Sequence, residues 1–269
     1  MCIYNELKEK EHEQFLRKQK KERFIVSFSR IGILVLFLVL WEAAARLGWI
    51  NQFITSSPSR VFETIVDLIK THSLYNHLFV TTFETVAGFT LGTVFGTIIA
   101  MMLWWSERLA KILDPYLVVL NALPKVALGP VIIVWAGAGM GSILIMTLAI
   151  SIVATIIGVY SGFMQASEEK IILLRTFNAS KMQIFTKAVF PSSIKNIINA
   201  LKINVGLSWV GVIMGEFLVS KAGLGYLIVY GSQVFNLDLV MAGVVILSVV
   251  AGLMYFLVSY LEKKVVKYD

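Results

Sequence analysis

Cysteine is nearly absent from this 269-residue chain, and charged residues are scarce. The single cysteine, Cys2, excludes an internal disulfide. The three histidines, His12, His72 and His77, do not have the spacing of a metal site, so no metal ligands are expected. The sequence contains no Walker A loop, dinucleotide fingerprint or catalytic triad. We therefore expect neither catalytic residues nor a cofactor bound by this chain itself.

Charged residues make up 15% of the chain, whereas a soluble domain carries about 25%. Hydrophobic residues make up 57%, and the mean hydropathy is +0.78. They fall in runs long enough to cross a bilayer, each of which needs roughly 20 residues. The sequence thus predicts an all-α integral membrane protein. The net charge of +7 does not indicate a nucleic-acid partner, because its distribution between the two membrane sides is the informative quantity.

Six membrane spans are predicted, at about 24–47, 77–105, 109–137, 142–163, 195–219 and 237–260. Residues 1–23 form a charged run that is too long for the first region of a signal peptide, so we interpret it as a cytoplasmic tail. A helix starting at Pro58 is amphipathic and too polar to span, and we expect it to lie along the membrane surface.

Small residues and prolines mark two of the spans. Gly88, Gly92 and Gly96 recur every four residues in the second span, which predicts a ridge where another helix approaches closely. Pro124, together with Gly129 and Pro130, predicts a break in the third span. Such breaks are tolerated where the backbone is buried in protein or lines a cavity.

The stretch 167–191, between the fourth and fifth spans, is the longest polar interruption of the apolar C-terminal region. Ser167 is a candidate helix cap, and Asn178 tolerates the left-handed conformation that ends a helix. Ser180 and Gln183 have capping-box spacing, which predicts a second short helix that ends at Phe190-Pro191. Its apolar face is predicted from the spacing of three side chains: Met182, Phe185 and Val189.

An apolar-faced helix beside membrane spans has two interpretations. It is either a connector lying against lipid or the bundle, or a docking element that fits a groove on a soluble partner. The stretch resembles the cytoplasmic-loop signature of ATP-binding-cassette (ABC) importer permeases, EAA-x3-G-x9-I-x-L-P. Aligned on Pro191, the signature places its glycine on Asn178, its isoleucine on Ala188, its leucine on Phe190 and its EAA triplet on residues 172–174.

Two signature residues differ in this chain. The signature glutamate is replaced by Ile172, and Glu168, one helical turn earlier on the same face, is a candidate substitute. Asn178 replaces the glycine, and asparagine can adopt the same backbone conformation. The segment R-T-F-N-A-S-K-M-Q-I-F around these positions is similar to the nitrate/sulfonate/taurine branch of the family.

The resemblance implies a type I ABC importer permease fold over residues 24–269. It also implies that a second permease copy, two cytoplasmic ATP-binding subunits that bind ATP and Mg²⁺, and an extracytoplasmic substrate-binding protein complete the importer. Cargoes of this branch include nitrate, sulfonates, taurine, bicarbonate and vitamin precursors of the thiamine and riboflavin type. The residues implied to couple with the ATPase are Arg175, Asn178, Ala179, Ser180, Lys181, Met182, Phe185, Phe190 and Pro191.

Polar side chains within the third and fifth spans are candidates for the translocation path. Lys125 is a candidate because an intramembrane charge is unusual, although a lysine that extends to the interface is an equal alternative. Glu216 has a similar alternative near the outer interface. The full candidate set is Asn121, Pro124, Lys125, Asn204, Ser208, Trp209 and Glu216.

The distribution of basic residues predicts the orientation. With both termini in the cytoplasm, eighteen Lys and Arg residues lie in cytoplasmic segments and four lie outside. Basic residues favour the cytoplasmic side of a membrane. The stretch 167–191 is then on the cytoplasmic side, and the protein is expected in a bacterial cell membrane. A transporter or channel that works alone, or a membrane scaffold, is the alternative function; the former favours inverted repeats, which the sequence does not show convincingly.

Overall fold

The computed structural model describes the backbone of residues 2–265 and the side chains of residues 15–260, Glu262 and Lys264. Met1 and residues 266–269, at the ends of the predicted tail and permease domain, lie outside the described residues. Within the described part the protein is helical and contains no strand. The chain divides into two compact units, of which the first ends at Glu63 and the second begins at Thr64.

The first unit contains α1 (Cys2–Arg46), α2 (Gln52–Thr55) and the start of α3 (Pro58–Lys70). Helix α1 is continuous, so the predicted boundary between a tail and a span at residue 23 corresponds to no break in the backbone. Glu42 accepts hydrogen bonds from the backbone N–H and the hydroxyl of Ser59, both at 3.0 Å. A carboxylate at the N-terminus of a helix is favourable because the first N–H groups of the helix lack partners. Pro58 begins α3, as predicted.

Three long helices form the centre of the second unit: α4 (Ser73–Trp105), α7 (Met140–Met164) and α10 (Phe190–Val219). Helix α7 lies between the other two. The glycine ridge of α4 packs against a small polar ridge of α7, because residues four apart share a helix face. The facing pairs are Gly88 with Thr147, Gly92 with Ser151 and Gly96 with Thr155. The predicted close approach of another helix is therefore confirmed.

The third predicted span is bent by 87° between α5 (Glu107–Ala122) and the segment that follows it. That segment is a short 3₁₀ helix, Lys125–Leu128, continued by α6 (Gly129–Ala136). The break lies at Leu123-Pro124. Pro130 does not break the span, because it lies in the first turn of α6, where a proline has no N–H to lose from the helix.

The remaining helices are α8 (Glu168–Thr176), α9 (Lys181–Ile184), α11 (Leu224–Gln233) and α12 (Leu237–Val265). Five helical segments of the described chain are long and apolar enough to cross a membrane, and the number is six when the bent pair is counted as one span. The all-α, six-span architecture predicted from the sequence is confirmed.

Candidate functional site: the coupling segment and the polar seam

We call residues 167–191 the coupling segment. Its first helix, α8, begins as the sequence predicts, because the Ser167 hydroxyl accepts a hydrogen bond from the Lys170 backbone N–H at 3.4 Å. Glu168 and Glu169 occupy the first turn, where the positive end of the helix dipole stabilises negative charge. The segment therefore starts as an ordered helix.

Asn178 makes the turn between the two short helices. Its φ of 54° is left-handed, the conformation that the signature glycine would adopt easily. Its N–H donates to the Arg175 carbonyl at 2.9 Å, and the Ala179 N–H donates to the Leu174 carbonyl at 3.0 Å. These bonds satisfy carbonyl groups at the end of α8. The predicted stop at Asn178 is confirmed.

A capping box starts α9. The Ser180 hydroxyl accepts from the Gln183 backbone N–H at 3.3 Å, and the Gln183 side chain accepts from the Ser180 N–H at 2.8 Å. Two backbone donors at the helix start are thus satisfied reciprocally. The predicted capping box is confirmed.

Lys181 fastens the coupling segment to α4, a contact that the sequence does not reveal. Its Nζ donates to the carbonyl oxygen of Trp105, the last residue of α4, at 2.7 Å. The same Nζ lies 5.5 Å from the Trp104 ring centroid and 5.8 Å from that of Trp105, within cation–π range. A positive charge at a helix C-terminus is also favoured by the helix dipole.

The prediction that Phe190-Pro191 ends the second short helix is wrong. The helix runs without interruption from Lys181 to Val219, and residues Phe185–Val189 form a π-helical turn. In this turn the Phe190 N–H donates to the Phe185 carbonyl, five residues earlier. The wider turn accommodates Pro191, which has no N–H and would otherwise crowd a carbonyl four residues before it. Coupling segment and fifth span are therefore one helix.

The π-helical turn also changes the predicted apolar face. Phe185 is only 8% exposed and lies in a core cluster, with its ring 5.0 Å from Trp104 and 5.3 Å from Phe163. Val189 is buried in the same cluster, but Met182 is 58% exposed. Phe185 thus anchors the coupling segment to the core and does not form part of its accessible surface.

The accessible surface of the coupling segment carries large apolar side chains from both short helices. Phe177 is 75% exposed, and three others are more than half exposed. Helical periodicity predicted only one of these four residues as part of an apolar face. Periodicity identifies side chains that face a core, and the other three face away from it. We call this set the apolar patch, which consists of Ile172, Leu173, Phe177 and Met182.

Beside the apolar patch lies a cavity of about 830 Å³, between α5, the end of α7 and the coupling segment. Its lining combines both signs of charge. Glu168, the candidate substitute for the signature glutamate, lines it together with Ile172 and Arg175. The charged lining residues are Glu107, Lys111, Asp114, Glu168, Arg175 and Lys181.

The candidate pathway residues of the third span lie together at its bend. Asn121 and Pro124 are exposed, and Lys125 is half-buried. The Lys125 Nζ donates to the Asn121 backbone carbonyl at 3.4 Å. Asn121 and Pro124 are thus accessible at the bend, and Lys125 is partly accessible.

The candidate pathway residues of the fifth span are placed differently, inside the seam between α4, α7 and α10. Asn204 donates from Nδ2 to the Thr93 hydroxyl at 2.8 Å, and Glu216 contacts α4. All four of Asn204, Ser208, Trp209 and Glu216 are buried. These four residues face neighbouring helices, and the exposed face of α10 carries Asn199, Ile203, Gly206 and Val210.

The described residues contain no group of three or more His, Cys, Asp and Glu side chains that could hold a metal ion.

Comparison with known proteins agrees with this geometry. Residues 92–267 match the family described as binding-protein-dependent transport system inner membrane component. A probable ABC transporter permease protein of Haemophilus influenzae is 30% identical over 243 residues, which is 90% of this chain and 96% of that protein. The putative aliphatic sulfonates transport permease protein SsuC of Bacillus subtilis is 26% identical, covering 86% of this chain and 84% of its own.

A solved structure has the same fold. The inward-facing MetNI methionine ABC transporter matches with a TM-score of 0.59 and 19% identity, over 69% of this chain and 94% of the matched chain. This chain therefore belongs to the family of binding-protein-dependent transport system inner membrane components, and it is a multi-pass ABC importer permease subunit.

Proposed function

We propose that the coupling segment contacts a partner ATP-binding subunit and transmits its movements to the membrane spans. The observation that carries this proposal is the apolar patch on a segment that Lys181 fastens to α4. An exposed apolar surface beside polar residues is typical of a protein interaction site. ATP and Mg²⁺ would be bound by the partner, which fits the absence of a nucleotide motif from the sequence.

Continuity of the helix supports mechanical transmission. The helix from Lys181 to Val219 is about 58 Å long, at 1.5 Å per residue. The Ser193 hydroxyl donates to the Gly162 carbonyl at 2.8 Å, which ties the start of α10 to the end of α7. A displacement of the coupling segment would thus move α4, α7 and α10 together, as in a rigid-body switch.

The energy for such a switch has to come from outside this chain. Inverting a two-state equilibrium from 1:99 to 99:1 takes about 5.5 kcal/mol of differential binding. Closure of two ATP-binding subunits would supply it through the coupling segment. No catalytic residue is then needed in the permease.

For the translocation path, we propose the bend residues Asn121, Pro124 and Lys125, together with the exposed face of α10. Asn204, Ser208, Trp209 and Glu216 would reach a path only if α4, α7 and α10 separate. In this structure all four are buried between the helices, and the Ser208 hydroxyl and the Trp209 indole nitrogen have no hydrogen-bond partner.

The cargo is proposed as a small anion or a vitamin precursor. Support comes from the names of similar permeases: SsuC for aliphatic sulfonates, ThiX of Halalkalibacterium halodurans for formylaminopyrimidine at 28% identity, and TauC of Escherichia coli for taurine at 23%. A cation at the bend, Lys125, is suited to an anionic cargo.

We further propose a homodimer of this chain with two ATP-binding subunits and an extracytoplasmic binding protein, in a bacterial cell membrane. Both termini and the coupling segment would be cytoplasmic, following the excess of eighteen basic residues over four. Lipid is the surrounding partner, and no nucleic acid is involved.

Reconstitution tests the proposal. The chain would be purified with the ATP-binding subunit encoded beside it and compared with the chain alone in liposomes. We expect a stable complex and uptake that requires the ATP-binding subunit, ATP and the binding protein. Uptake by this chain alone would support a self-sufficient transporter and would contradict the proposal.

A further inference from the structure

Two glutamates meet inside the second unit at the end of α10 farthest from the coupling segment. Glu216 of α10 is 1% exposed, and Glu84 of α4 is 5% exposed. The Glu216 Oε1 accepts a hydrogen bond from the Thr81 hydroxyl at 2.6 Å. Thr81 and Glu84 are three residues apart and thus neighbours on one helix face. This places the Glu84 carboxyl within hydrogen-bonding reach of the Glu216 carboxyl.

The oxygens of the two carboxyls differ in their partners. Glu216 Oε2 accepts from the Gly225 backbone N–H at 2.6 Å, so both of its oxygens already accept bonds from the protein. The Glu84 Oε2 is buried and has no hydrogen-bond partner. A buried carboxylate oxygen without a donor is costly, and the cost grows when a second carboxylate lies beside it.

No basic side chain of the described residues forms an ion pair with either glutamate. Helix α7 carries no acidic or basic residue, and α11 carries none either. His77 of α4 accepts from the Gly223 N–H through Nδ1 at 2.9 Å and stacks on Tyr226 of α11, while Lys221 is exposed. Farther along, Lys202 of α10 is paired at 2.5 Å with Glu262 of α12, whose first turn carries Asp238.

We propose that Glu84 and Glu216 hold one shared proton, with Glu84 as the donor to Glu216. Two carboxyl groups in contact within a low-dielectric interior cannot both be ionised without large repulsion. A proton bound to Glu84 allows its carboxyl to donate a hydrogen bond to Glu216, and it removes one of the two negative charges. A metal cation fits poorly, because the Glu216 oxygens are directed at a hydroxyl and an N–H and not at a common empty centre.

The shared proton ties the turn before α11 to α4. Thr81 donates to Glu216 and accepts from the Leu224 N–H at 2.7 Å, so the turn, α4 and α10 meet at one hydroxyl. Gly223, with φ of +116°, and Gly225 both lie against the Glu216 carboxyl, where a Cβ has no room. Removal of the proton would place two negative charges in contact, separate α4 from α10 and release the turn. The pair is thus a pH-sensitive clasp.

Infrared spectroscopy of the full-length protein in lipid nanodiscs tests this assignment. At about pH 7 ordinary carboxyl side chains are ionised, because they titrate at about pH 4. We expect one carbonyl band of a protonated carboxylic acid per chain, which shifts in deuterated water. The band should be present in the wild type and in the exposed-residue control Glu63→Gln, and lost in Glu84→Gln, which removes the carboxyl that carries the proton.

Glu84→Gln retains a donor for Glu216, so this variant should insert normally and hold the turn without a proton. The wild-type thermal midpoint should therefore fall as the pH is raised, whereas that of Glu84→Gln should not, because only the wild type loses a bound proton. Absence of the band from the wild type would overturn the proposal. So would a midpoint that depends on sodium concentration instead of pH, since the site would then hold a metal cation.

Discussion

The Lys181 ammonium donates a 2.7 Å hydrogen bond to the backbone carbonyl of Trp105, so the coupling segment and the C-terminus of α4 are joined directly. Seventy-six residues separate the two in sequence. The contact places the start of the α9–α10 helix beside the junction of α4 and α5. A partner bound to the coupling segment would therefore be connected to two membrane helices, α4 and α10.

Reversing the charge at this contact should uncouple the permease. In Lys181→Glu a carboxylate would face the Trp105 carbonyl oxygen and the negative end of the α4 dipole. Because the lysine is exposed, we expect the contact between the coupling segment and α4 to weaken by about 1 kcal/mol. This corresponds to about a fivefold fall in the ratio of cargo uptake to ATP hydrolysis. The measurement is the ratio of cargo uptake to ATP hydrolysis in proteoliposomes. Lys187→Glu, on an exposed position of the same segment, is the control and should leave that ratio unchanged.

Substitutions at Phe185 and Met182 should distinguish a role in fold stability from a role in binding the ATP-binding subunit. Phe185→Ala leaves a cavity beside Trp104 and Phe163 and should cost about 3–5 kcal/mol of stability. Met182→Ala, at an exposed position, should change stability by no more than about 0.5 kcal/mol but weaken binding of the ATP-binding subunit. Thermal unfolding and co-purification measure the two effects. Equal losses of stability in both variants would refute this division.

The seam between α4 and α7 should not tolerate a methyl group. A Cβ at Gly92 would lie 2.7 Å from the Ser151 hydroxyl oxygen, so Gly92→Ala should destabilise the protein by about 1–3 kcal/mol. Gly252→Ala in α12 is the matched control, because its Cβ would meet nothing within 4 Å. The thermal midpoint of each purified variant is the measurement, and a stable Gly92→Ala protein would disprove close packing here.

The turn at residue 178 should depend on backbone conformation and not on the amide side chain. Asn178→Gly should preserve ATPase binding, because glycine adopts a left-handed φ readily. Asn178→Val should weaken it, because a β-branched residue with φ near 54° costs about 1–2 kcal/mol. Affinity for the ATP-binding subunit is the measurement. Should valine bind as well as glycine, the turn would have no role in positioning the patch.

Local rules were sufficient for several features. Ser180 and Gln183 form a capping box within three residues, and Gly88, Gly92 and Gly96 need only helical periodicity to form a ridge. Span lengths follow from apolar runs in the same way. These features depend on residues close in sequence, and the structure contains them as predicted.

Other features depend on contacts distant in sequence. Pro191 should end a helix by its local geometry, yet packing of Phe185 and Val189 in the core keeps the helix continuous through a π-helical turn. Glu216 is a candidate pathway residue because it is a charged residue within a predicted span. The Thr81 hydroxyl and the Gly225 N–H, which lie on other segments, donate hydrogen bonds to its carboxyl within the seam. Neither outcome is visible in a window of ten or twenty residues.

Site-specific cross-linking from position 182 tests whether the apolar patch contacts the ATP-binding subunit. A photoreactive amino acid in place of Met182 would be activated in the intact membrane complex, with the same substitution at the exposed Phe79 of α4 as control. We expect a cross-link from position 182 to the ATP-binding subunit and none from position 79. A cross-link from position 182 to lipid alone, or to the extracytoplasmic binding protein, would contradict it.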